Sequence, residues 1–558
     1  MAALALHLLI ILPALAAIYV AALPARRERE AYPVALGVGI VTAALSILLF
    51  MGVGPTGLIA ESNWTWIAVG ARDVASGSLA SGLQISYHLA LDAISAPLIA
   101  LTGVLAPLGV ACSFTAIRHR VREYYAWLLA LMAGMFGVFA ARDVLLFYIF
   151  FEFTLVPLYF LIGIWGGPER RYAANKFFLF TFVGSVITFA GIVYLAVRAA
   201  QLDYSGLVSF DLLRLSSLAL TPTEQSWLFV ALFCGFAIKV PFFPLHTWLP
   251  LAHTEAPTAG SVLLAGVLLK LGTYGFLRFS LPMVPEGAVA WAPAMGWLAV
   301  AGIIYGALCC WVQRDVKKLV AYSSVSHLGF CMLGMFSLLP VGLSGSVLYM
   351  INHGISTGAL FLVVGMLYER YHTRDMNALG GLARKMPIAA FFLILFTLSS
   401  IGLPGLNGFV SEFTTLLAAY ASPVLGPAFG ALGATGILLG AIYMLYMVGK
   451  VLFGPLKEPP HDAHDEAALP ADLNTREIAT LAPLAVLAVV LGVAPRLVTD
   501  TLDANLRDQV LSRVAQSDAY RRIADLPAAD AARQVPSPPV PVFGEPPAAA
   551  SVLSPNGG

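Results

Sequence analysis

The sequence predicts an all-α polytopic membrane protein of about 14 transmembrane helices, with two inverted five-helix repeats formed by helices 4 to 8 and 9 to 13. Three observations predict this fold. The chain of 558 residues is 59% hydrophobic and only 11% charged, whereas soluble domains carry about 25% charged residues. Its apolar residues form stretches of about 20, the length that a helix needs to cross a bilayer. Two of these stretches, the seventh and the twelfth, are interrupted by proline and glycine.

The helices are placed by hydropathy, because the bilayer interior offers backbone groups no water and each must be hydrogen-bonded within the protein. We predict them at about 3–22, 32–52, 87–112, 125–141, 143–165, 175–197, 226–245, 257–278, 291–312, 318–338, 344–368, 387–420, 426–452 and 477–495. The first helix is predicted to be an anchor and not a signal peptide, because its basic residues Arg26, Arg27 and Arg29 follow the apolar run.

Lysine and arginine are unevenly distributed between the loops. The odd-numbered loops contain about 19 of these residues and the even-numbered loops about 5. Because basic loops stay in the cytoplasm, we expect the odd loops there and both termini on the opposite, non-cytoplasmic side.

Domain organisation follows from the helices and from a change of composition near the C-terminus. We predict three N-terminal helices in 1–124, the first repeat in 125–278, the second repeat in 279–454, the last helix with a polar extension in 455–525 and a Pro/Ala-rich tail in 526–558. The tail has too little apolar surface to offset the entropy of ordering, although a partner surface could order it.

Composition also excludes several classes of function. A net charge of +1 provides no basic surplus for nucleic acid, so lipid is the expected environment. The five cysteines lie in apolar stretches without the spacing of iron–sulfur or zinc ligands. Phosphate-binding, flavin and nicotinamide fingerprints are missing too. We therefore expect no metal and no redox cofactor in this chain.

Ionisable residues occur inside the apolar helices, where a charge costs about 2.5–3.5 kcal/mol on insertion scales. They are Glu152, Lys239, Lys270, His327, His353 and Glu412. The first five are predicted near the middle of their helices and therefore at one depth. Burial disfavours the ammonium form of Lys270, whereas a nearby carboxylate such as Glu152 favours it, and such a group is a tunable proton site. The alternative is that these side chains lock helix packing.

The interruptions of helices seven and twelve adjoin two of these residues. Lys239 is followed by Pro241 and Pro244, and Glu412 is preceded by the segment Ile401–Gly408. Each proline removes a backbone donor, and free backbone at membrane depth is tolerated where it lines protein or a water-filled cavity. The breaks lie five helices apart, and an odd offset inverts orientation, which predicts the inverted repeat. Simple proline kinks remain an alternative for either break alone.

Polar residues also border the break in the seventh helix. His246, His253 and Glu255 could pass protons between bulk water and Lys239, or they could cap and brace the loop. The sequence favours neither interpretation.

The residues resemble a known family, the antiporter-like membrane subunits of respiratory complex I, and among them the M type. The resemblance covers about 80–455 of the chain. Its motifs are Leu146–Pro157, Lys239–Leu271, Arg314–Gly329, Asn352–Gly354 and Leu403–Glu412. Glutamate at 412 favours the M type, because the sister subunits L and N have lysine at the corresponding place.

The resemblance implies roles for the buried residues. Glu152 and Lys239 resemble the family's essential pair, Lys270 its central lysine and Glu412 its terminal residue. His327 and His353 resemble the histidines that link the two halves. It further implies a proton relay along the membrane plane, driven by quinone reduction in other subunits of NADH:quinone oxidoreductase. NADH, FMN, iron–sulfur clusters and quinone are expected in those partner subunits, with L and N as neighbours in a bacterial inner membrane.

Three other functions remain open at this level. The chain could be a subunit of a multisubunit cation/proton antiporter, which Glu412 argues against mildly. It could be a passive scaffold, in which the buried charges only hold helices together. It could also reduce quinone, although no cofactor fingerprint supports this.

Overall fold

The computed structural model describes residues 1–54, 57–71, 81–459 and 471–524. Within these residues the chain is predominantly helical, and 11 helices are long and apolar enough to cross a membrane. The predicted all-α membrane fold is therefore confirmed, with one small sheet added to it. The total of about 14 crossings and the inverted repeat remain predictions.

The helices follow the order of the predicted spans. They are α1 Ala2–Ala22, α2 Ala31–Met51, α3 Ala96–Ala116, α4 Val121–Ala140, α5 Val144–Trp165, α6 Arg170–Leu202, α7a Pro222–Lys239, α7b Leu249–Glu255, α8 Thr258–Met283, α9 Pro285–Trp311, α10 Val316–Met335, α11 Pro340–Tyr371, α12a Pro387–Ser400, α12b Asn407–Ala421, α13 Pro427–Leu452 and α14 Thr475–Val493. Both predicted interruptions are present, because Lys239 ends α7a and a loop separates α12a from α12b.

Two helices form the centre of the molecule. The most apolar windows of α8 and α11 are 100% buried by other parts of the chain, whereas those of α1, α6 and α14 are less than half buried. Because lipid contacts only the outer helices, side chains on α8 and α11 interact with protein alone. The predicted Lys270 and His353 both belong to this centre.

A three-stranded sheet covers one end of the bundle. Strands β1 (Ile59–Val69) and β2 (Gly82–Leu91) form an antiparallel hairpin, and β3 (Leu207–Ser209) pairs with β2 in parallel. The prediction of helix at 87–95 was wrong, since the third helix begins at Ala96. Alternating polar and apolar residues favour a strand before Asp92, whose carboxylate then accepts from the amides of Ile94 and Ser95 and begins the helix. We call the end with the sheet the hairpin face.

The chain after α14 is also helical. Residues Arg496–Leu506, a π-helical turn Arg507–Leu511 and Ser512–Gln516 form one amphipathic helix, α15, followed by the short helix Asp518–Ala524. On the hairpin face α15 packs against α11, where Ser344 donates to Asp503. The predicted polar extension is therefore an ordered part of the bundle, whereas the predicted tail at 526–558 lies outside the described residues.

Candidate functional site

Lys270 lies in the middle of α8 and is fully buried. A π-helical turn, Leu264–Leu268, precedes it. Because a π turn changes the regular i to i−4 pairing, the carbonyl of Ala265 is available to Lys270 Nζ, which donates to it. Lys270 Nζ also lies 2.7 Å from Nδ1 of His353 on α11. The two central helices are thus joined through a lysine and a histidine.

The contacts continue from His353 toward α12b. The rings of His353 and His327 are 5.8 Å apart. His327 Nδ1 lies 2.8 Å from the hydroxyl of Tyr349, and this hydroxyl donates to Glu412 at 3.0 Å. The structure therefore brings four of the predicted residues into one cluster, to which Tyr349 is added. A gap between the two histidine rings separates its two sets of hydrogen-bond contacts.

Tyr349 is a site residue that the sequence analysis missed. Tyrosine is common in apolar helices, so its type alone carries no signal. Its position does, because Tyr349 precedes His353 by four residues and lies on the same face of α11. A search of helix faces that carry one buried histidine could have found it.

Glu412 is held beside the loop that interrupts helix 12. Gly402 in this loop has φ +72°, and a Cβ there would lie 2.3 Å from Oε2 of Glu412. Glycine is required by both the backbone conformation and the close approach of the carboxylate. Asn407 fastens the start of α12b, since its carbonyl accepts from Asn352 Nδ2 of α11 at 2.7 Å.

A small cavity adjoins these groups. Its volume is about 10 Å³, and its lining includes His327, Tyr349, His353 and Glu412. This volume is near the minimum for one water molecule, and the polar lining offers it partners. One water could therefore contact both histidines and the carboxylate.

The predicted Glu152 and Lys239 pair is close but not in contact. Lys239 is buried, and its Nζ lies 4.6 Å from the ring centroid of Phe151. No ion pair joins Glu152 and Lys239 within the described residues, and Oε1 of Glu152 has no hydrogen-bond partner there. Their charges still interact at longer range.

Lys239 belongs to the same packing layer as Lys270. At Gly272 of α8, a Cβ would lie 2.6 Å from the carbonyl of Phe236 and 2.9 Å from Cβ of Lys239. Glycine thus lets α7a and α8 approach closely beside both lysines. The backbones of α7a and α8 that carry the two lysines therefore lie side by side.

The three residues at the seventh-helix break have different surroundings. Glu255 accepts from the amide of Glu169 at 3.0 Å, so it braces the loop before α6. His246 is buried against Phe243, and among the described residues its Nδ1 has no hydrogen-bond partner. His253 is fully buried, and within the described part of the chain neither of its ring nitrogens has a partner.

His253 lies between the central lysine and a large cavity. The cavity has a volume of about 470 Å³ at the end of the bundle away from the hairpin face, and Thr254, Glu255 and Lys317 contribute to its lining. The charges of Lys317 and Lys270 both act on His253. Lys317, which the sequence analysis did not single out, donates to the carbonyl of Ala256 and holds the end of α7b.

The described residues contain no group of three or more His, Cys, Asp or Glu side chains arranged to hold a metal ion. The buried cluster instead alternates bases and acids at hydrogen-bond distances, an arrangement suited to moving protons.

Comparison with known proteins gives consistent results. Residues 141–428 match the family described as NADH:quinone oxidoreductase/Mrp antiporter, TM. NADH-quinone oxidoreductase subunit M of Rhodobacter capsulatus is 42% identical over 482 residues, which cover 85% of this chain and 89% of the relative. The subunit of the same name from Pseudomonas aeruginosa is 43% identical over 76% of this chain and 82% of its own length.

Solved structures resemble the fold. A chain of respiratory complex I from Thermus thermophilus with bound NADH has a TM-score of 0.75 and 30% identity, covering 91% of this chain and 99% of that chain. A chain of the Mrp complex from Dietzia sp. DQ12-45-1b has a TM-score of 0.77, with 91% and 98% covered. Its identity of 22% supports a common fold alone.

Proposed function

This chain belongs to the subunit M family of NADH-quinone oxidoreductase, and we propose that its protons move from Lys270 through His353, His327 and Tyr349 to Glu412. It is a proton-translocating, antiporter-like membrane subunit and part of a membrane-arm assembly. Two sets of contacts carry the proposal: the 2.7 Å contact between Lys270 and His353, and the bonds from His327 through Tyr349 to Glu412. The ring centroids of the two histidines that end these sets are 5.8 Å apart.

The hydrogen-bond directions favour this sequence of transfers. The Tyr349 hydroxyl donates to Glu412, so its oxygen accepts from His327 Nδ1, which leaves Nε2 of neutral His327 as a proton acceptor. Likewise, the Lys270 ammonium donates to Nδ1 of neutral His353, whose Nε2 then carries a proton. Within the described residues both Nε2 atoms lack partners. They can therefore bond each other directly or through one water.

One shift along this series transfers one proton. Lys270 loses a proton to His353, His353 passes its Nε2 proton to His327, and the Nδ1 proton of His327 moves through Tyr349 to Glu412. The ammonium becomes an amine and the carboxylate becomes a carboxylic acid, so one positive charge has moved. Both imidazoles end in the opposite tautomer, and water in the small cavity between them allows the reset.

The Glu152 and Lys239 pair provides the control. When Glu152 approaches Lys239, it neutralises the charge that faces Lys270 and favours proton uptake there; when it withdraws, the charge on Lys239 favours release. Two unit charges 4 Å apart interact by about 4 kcal/mol at an effective dielectric constant of about 20. Moving one charge across about 100 mV requires about 2.3 kcal/mol. The energy change from rearranging this pair is therefore large enough to move one proton across the membrane potential.

Uptake is assigned to the end of the bundle away from the hairpin face. The cavity of about 470 Å³ there reaches the residues next to His253. His253, with both ring nitrogens free within the described residues, connects this cavity toward Lys270, and His246 is a second group near the break. Glu255 braces the loop that holds them.

The assembly, the location and the chemistry of the partners complete the proposal. The chain is a subunit of an enzyme complex, NADH-quinone oxidoreductase. NADH, FMN, iron–sulfur clusters and quinone are assigned to partner subunits, and the neighbours are assigned to the sister subunits L and N. We place the chain in a bacterial inner membrane with both termini on the non-cytoplasmic side, because the basic loops lie at the opposite end.

The test is Lys270→Ala in the assembled complex, with NADH:quinone turnover and proton pumping recorded together in sealed vesicles. Lys450→Ala is the matched control, since Lys450 is an exposed lysine on α13. We expect Lys270→Ala to abolish pumping and coupled turnover while the complex still assembles, and Lys450→Ala to leave both intact. Unchanged pumping in Lys270→Ala would show that the buried charges only hold helices together.

A further inference from the structure

A buried cluster of charges lies at the hairpin face, outside the series described above. Arg278 of α8 donates to Oδ1 of Asp92 at 2.7 Å, and Arg142 lies 3.3 Å from Oδ2 of the same carboxylate. Asp92 is fully buried and both arginines are at least nine-tenths buried. Burial alone raises the pKa of Asp92, but the charges of Arg278 and Arg142 lower it far below its ordinary value. The cluster therefore keeps two positive charges and one negative charge.

Arg278 shares one face of α8 with Lys270. Lys270, Tyr274 and Arg278 follow each other at intervals of four residues, so their side chains lie along one line of the helix. Eight residues correspond to about 12 Å along the axis. Tyr274 occupies the space between them, since it accepts from Arg278 Nε at 3.1 Å and donates to the carbonyl of Phe139 at 3.3 Å.

A cavity enters the protein from the hairpin face and stops at this cluster. Its volume is about 290 Å³, and both Arg142 and Arg278 form part of its lining, together with the carboxylates of Asp211 and Asp508. Tyr274 and Asp92 lie behind the arginines and do not line it. Arg513 also lines the cavity, so its arginines outnumber its two carboxylates. The guanidinium groups of Arg142 and Arg278 separate the cavity from Tyr274 and Lys270.

Guanidinium groups are suited to stop protons at this point. Arginine stays protonated at every accessible pH, so it cannot receive a proton on one side and release it on the other. A fixed positive charge also repels an incoming proton, a device that excludes protons from water channels. We propose that Arg278 and Arg142 are an electrostatic barrier that prevents protons on Lys270 from exchanging directly with the hairpin face.

The C-terminal helix keeps the barrier in place. Gln509 of α15 accepts from the Nη1 atom of Arg278 at 2.7 Å, so all three nitrogens of this guanidinium are bonded. This arrangement directs the proton on Lys270 sideways toward His353. The inference rests on the proposed function for the role of Lys270, whereas the barrier can be measured without turnover.

The experiment measures passive proton conductance of the assembled complex in sealed vesicles, with an imposed pH gradient and no NADH. Arg278→Gln leaves the cluster without net charge, whereas Asp92→Asn increases its net positive charge. Both substitutions break the ion pair between Arg278 and Asp92, and Asp92→Asn also breaks the pair between Asp92 and Arg142. We expect a leak from Arg278→Gln and none from Asp92→Asn. Arg278→Lys, which retains the positive charge, should have the proton conductance of the wild type.

The size of the leak follows from the distance between the charges. One unit charge about 12 Å away changes the free energy of a proton by about 1.4 kcal/mol at an effective dielectric constant of about 20, which corresponds to about tenfold in rate. Combining Arg278→Gln with Lys270→Ala should remove the leak, because the route through Lys270 is then interrupted. If Arg278→Gln does not assemble, Arg142→Gln removes the same net charge and should also leak.

Two results would overturn the barrier. One is an assembled Arg278→Gln or Arg142→Gln complex with wild-type conductance. The other is an equal leak in Arg278→Gln, Arg278→Lys and Asp92→Asn, which would show that packing and not charge closes the route. Failure of the proposed function is distinguished by Lys270→Ala alone: if pumping persists there while Arg278→Gln leaks, the barrier stands and the assigned relay does not.

Discussion

Two basic side chains of helix α8, Arg278 and Lys270, have different hydrogen-bonding surroundings. At the hairpin face, each of the three nitrogens of Arg278 has a hydrogen-bond partner. Around Lys270, by contrast, Nε2 of His327, Nε2 of His353 and both nitrogens of His253 have none within the described residues. An unsatisfied buried polar group costs about 1–3 kcal/mol. The comparison indicates that satisfied groups hold charge in place, whereas unsatisfied groups are free to exchange protons.

Asp92→Ala tests the hydrogen-bonded charge cluster around Arg278 and should have the largest effect on stability. It leaves Arg278 and Arg142 buried without a counter-charge, and breaking a buried pair in this way costs about 3–5 kcal/mol. We expect a lower thermal unfolding midpoint and reduced assembly in detergent. Asp203→Ala, which removes an exposed ion pair with Arg214, is the control and should change little. Equal losses in both variants would contradict the comparison.

Tyr349→Phe interrupts the proposed proton route between His327 and Glu412 with little loss of packing. The hydroxyl that connects His327 with Glu412 is removed, and hydrogen bonds to charged groups contribute about 1.5–3 kcal/mol. We expect proton pumping to fall about tenfold or more. Tyr446→Phe on α13 affects an exposed tyrosine and should pump normally. Normal pumping by Tyr349→Phe would show that protons bypass this hydroxyl.

Gly402→Ala tests whether the position of Glu412 matters. The new Cβ would collide with the carboxylate, and φ +72° adds strain, for a total of about 1–3 kcal/mol. Gly405→Ala has the same backbone problem at φ +93° but no atom within 4 Å of the Cβ. We expect pumping to be impaired in Gly402→Ala and largely retained in Gly405→Ala. Similar pumping by the two would assign the effect to the loop alone.

His253→Phe should separate stability from proton uptake. The ring already stacks on Phe361 with centroids 4.6 Å apart, and no hydrogen bond is lost within the described residues. Phenylalanine is larger than histidine and the site is fully buried, so we expect the unfolding free energy to fall by about 1–3 kcal/mol at most, while pumping decreases. A strongly destabilised variant would identify His253 as a structural residue that stabilises the fold and does not carry protons.

The smallest effect concerns His88 on β2, outside the membrane helices. Burial lowers its pKa, but the carboxylates of Asp211 and Glu61 outweigh this and raise it. A raised pKa stabilises the fold below the unfolded value of about 6.5 and ceases to do so as pH rises through the folded value. The difference in unfolding midpoint between wild type and His88→Gln should therefore be largest in acid and shrink with rising pH. A difference that grows as pH rises would show that the fold lowers the pKa of His88 and does not raise it.

The sequence predicts the membrane helices and both breaks because these depend on local properties. Hydropathy locates the helices, and Pro241, Pro244 and the glycine-rich loop at 401–408 interrupt them wherever the neighbours lie. The hairpin was missed because one hydropathy window spans strand β2 and helix α3. Only the capping role of Asp92 separates the two elements, and this signal is weaker than apolar length.

The candidate site was predicted only in part, for a different reason. Charged residues such as Lys270 and Glu412 are rare in membrane helices, so the sequence alone marks them as candidate site residues. Tyr349 and Lys317 do not, because tyrosine is ordinary in apolar helices and Lys317 lies near a helix end. Their roles depend on which partners the fold places beside them.

The complete enclosure of α8 and α11 has a consequence for biogenesis. During synthesis α8 leaves the translocon before α11 exists, so Lys270 first meets lipid without His353, at a cost of about 2.5–3.5 kcal/mol. Only when α11 inserts and packs does the lysine gain its partner. A chain that ends between these helices therefore leaves Lys270 in an apolar environment without His353.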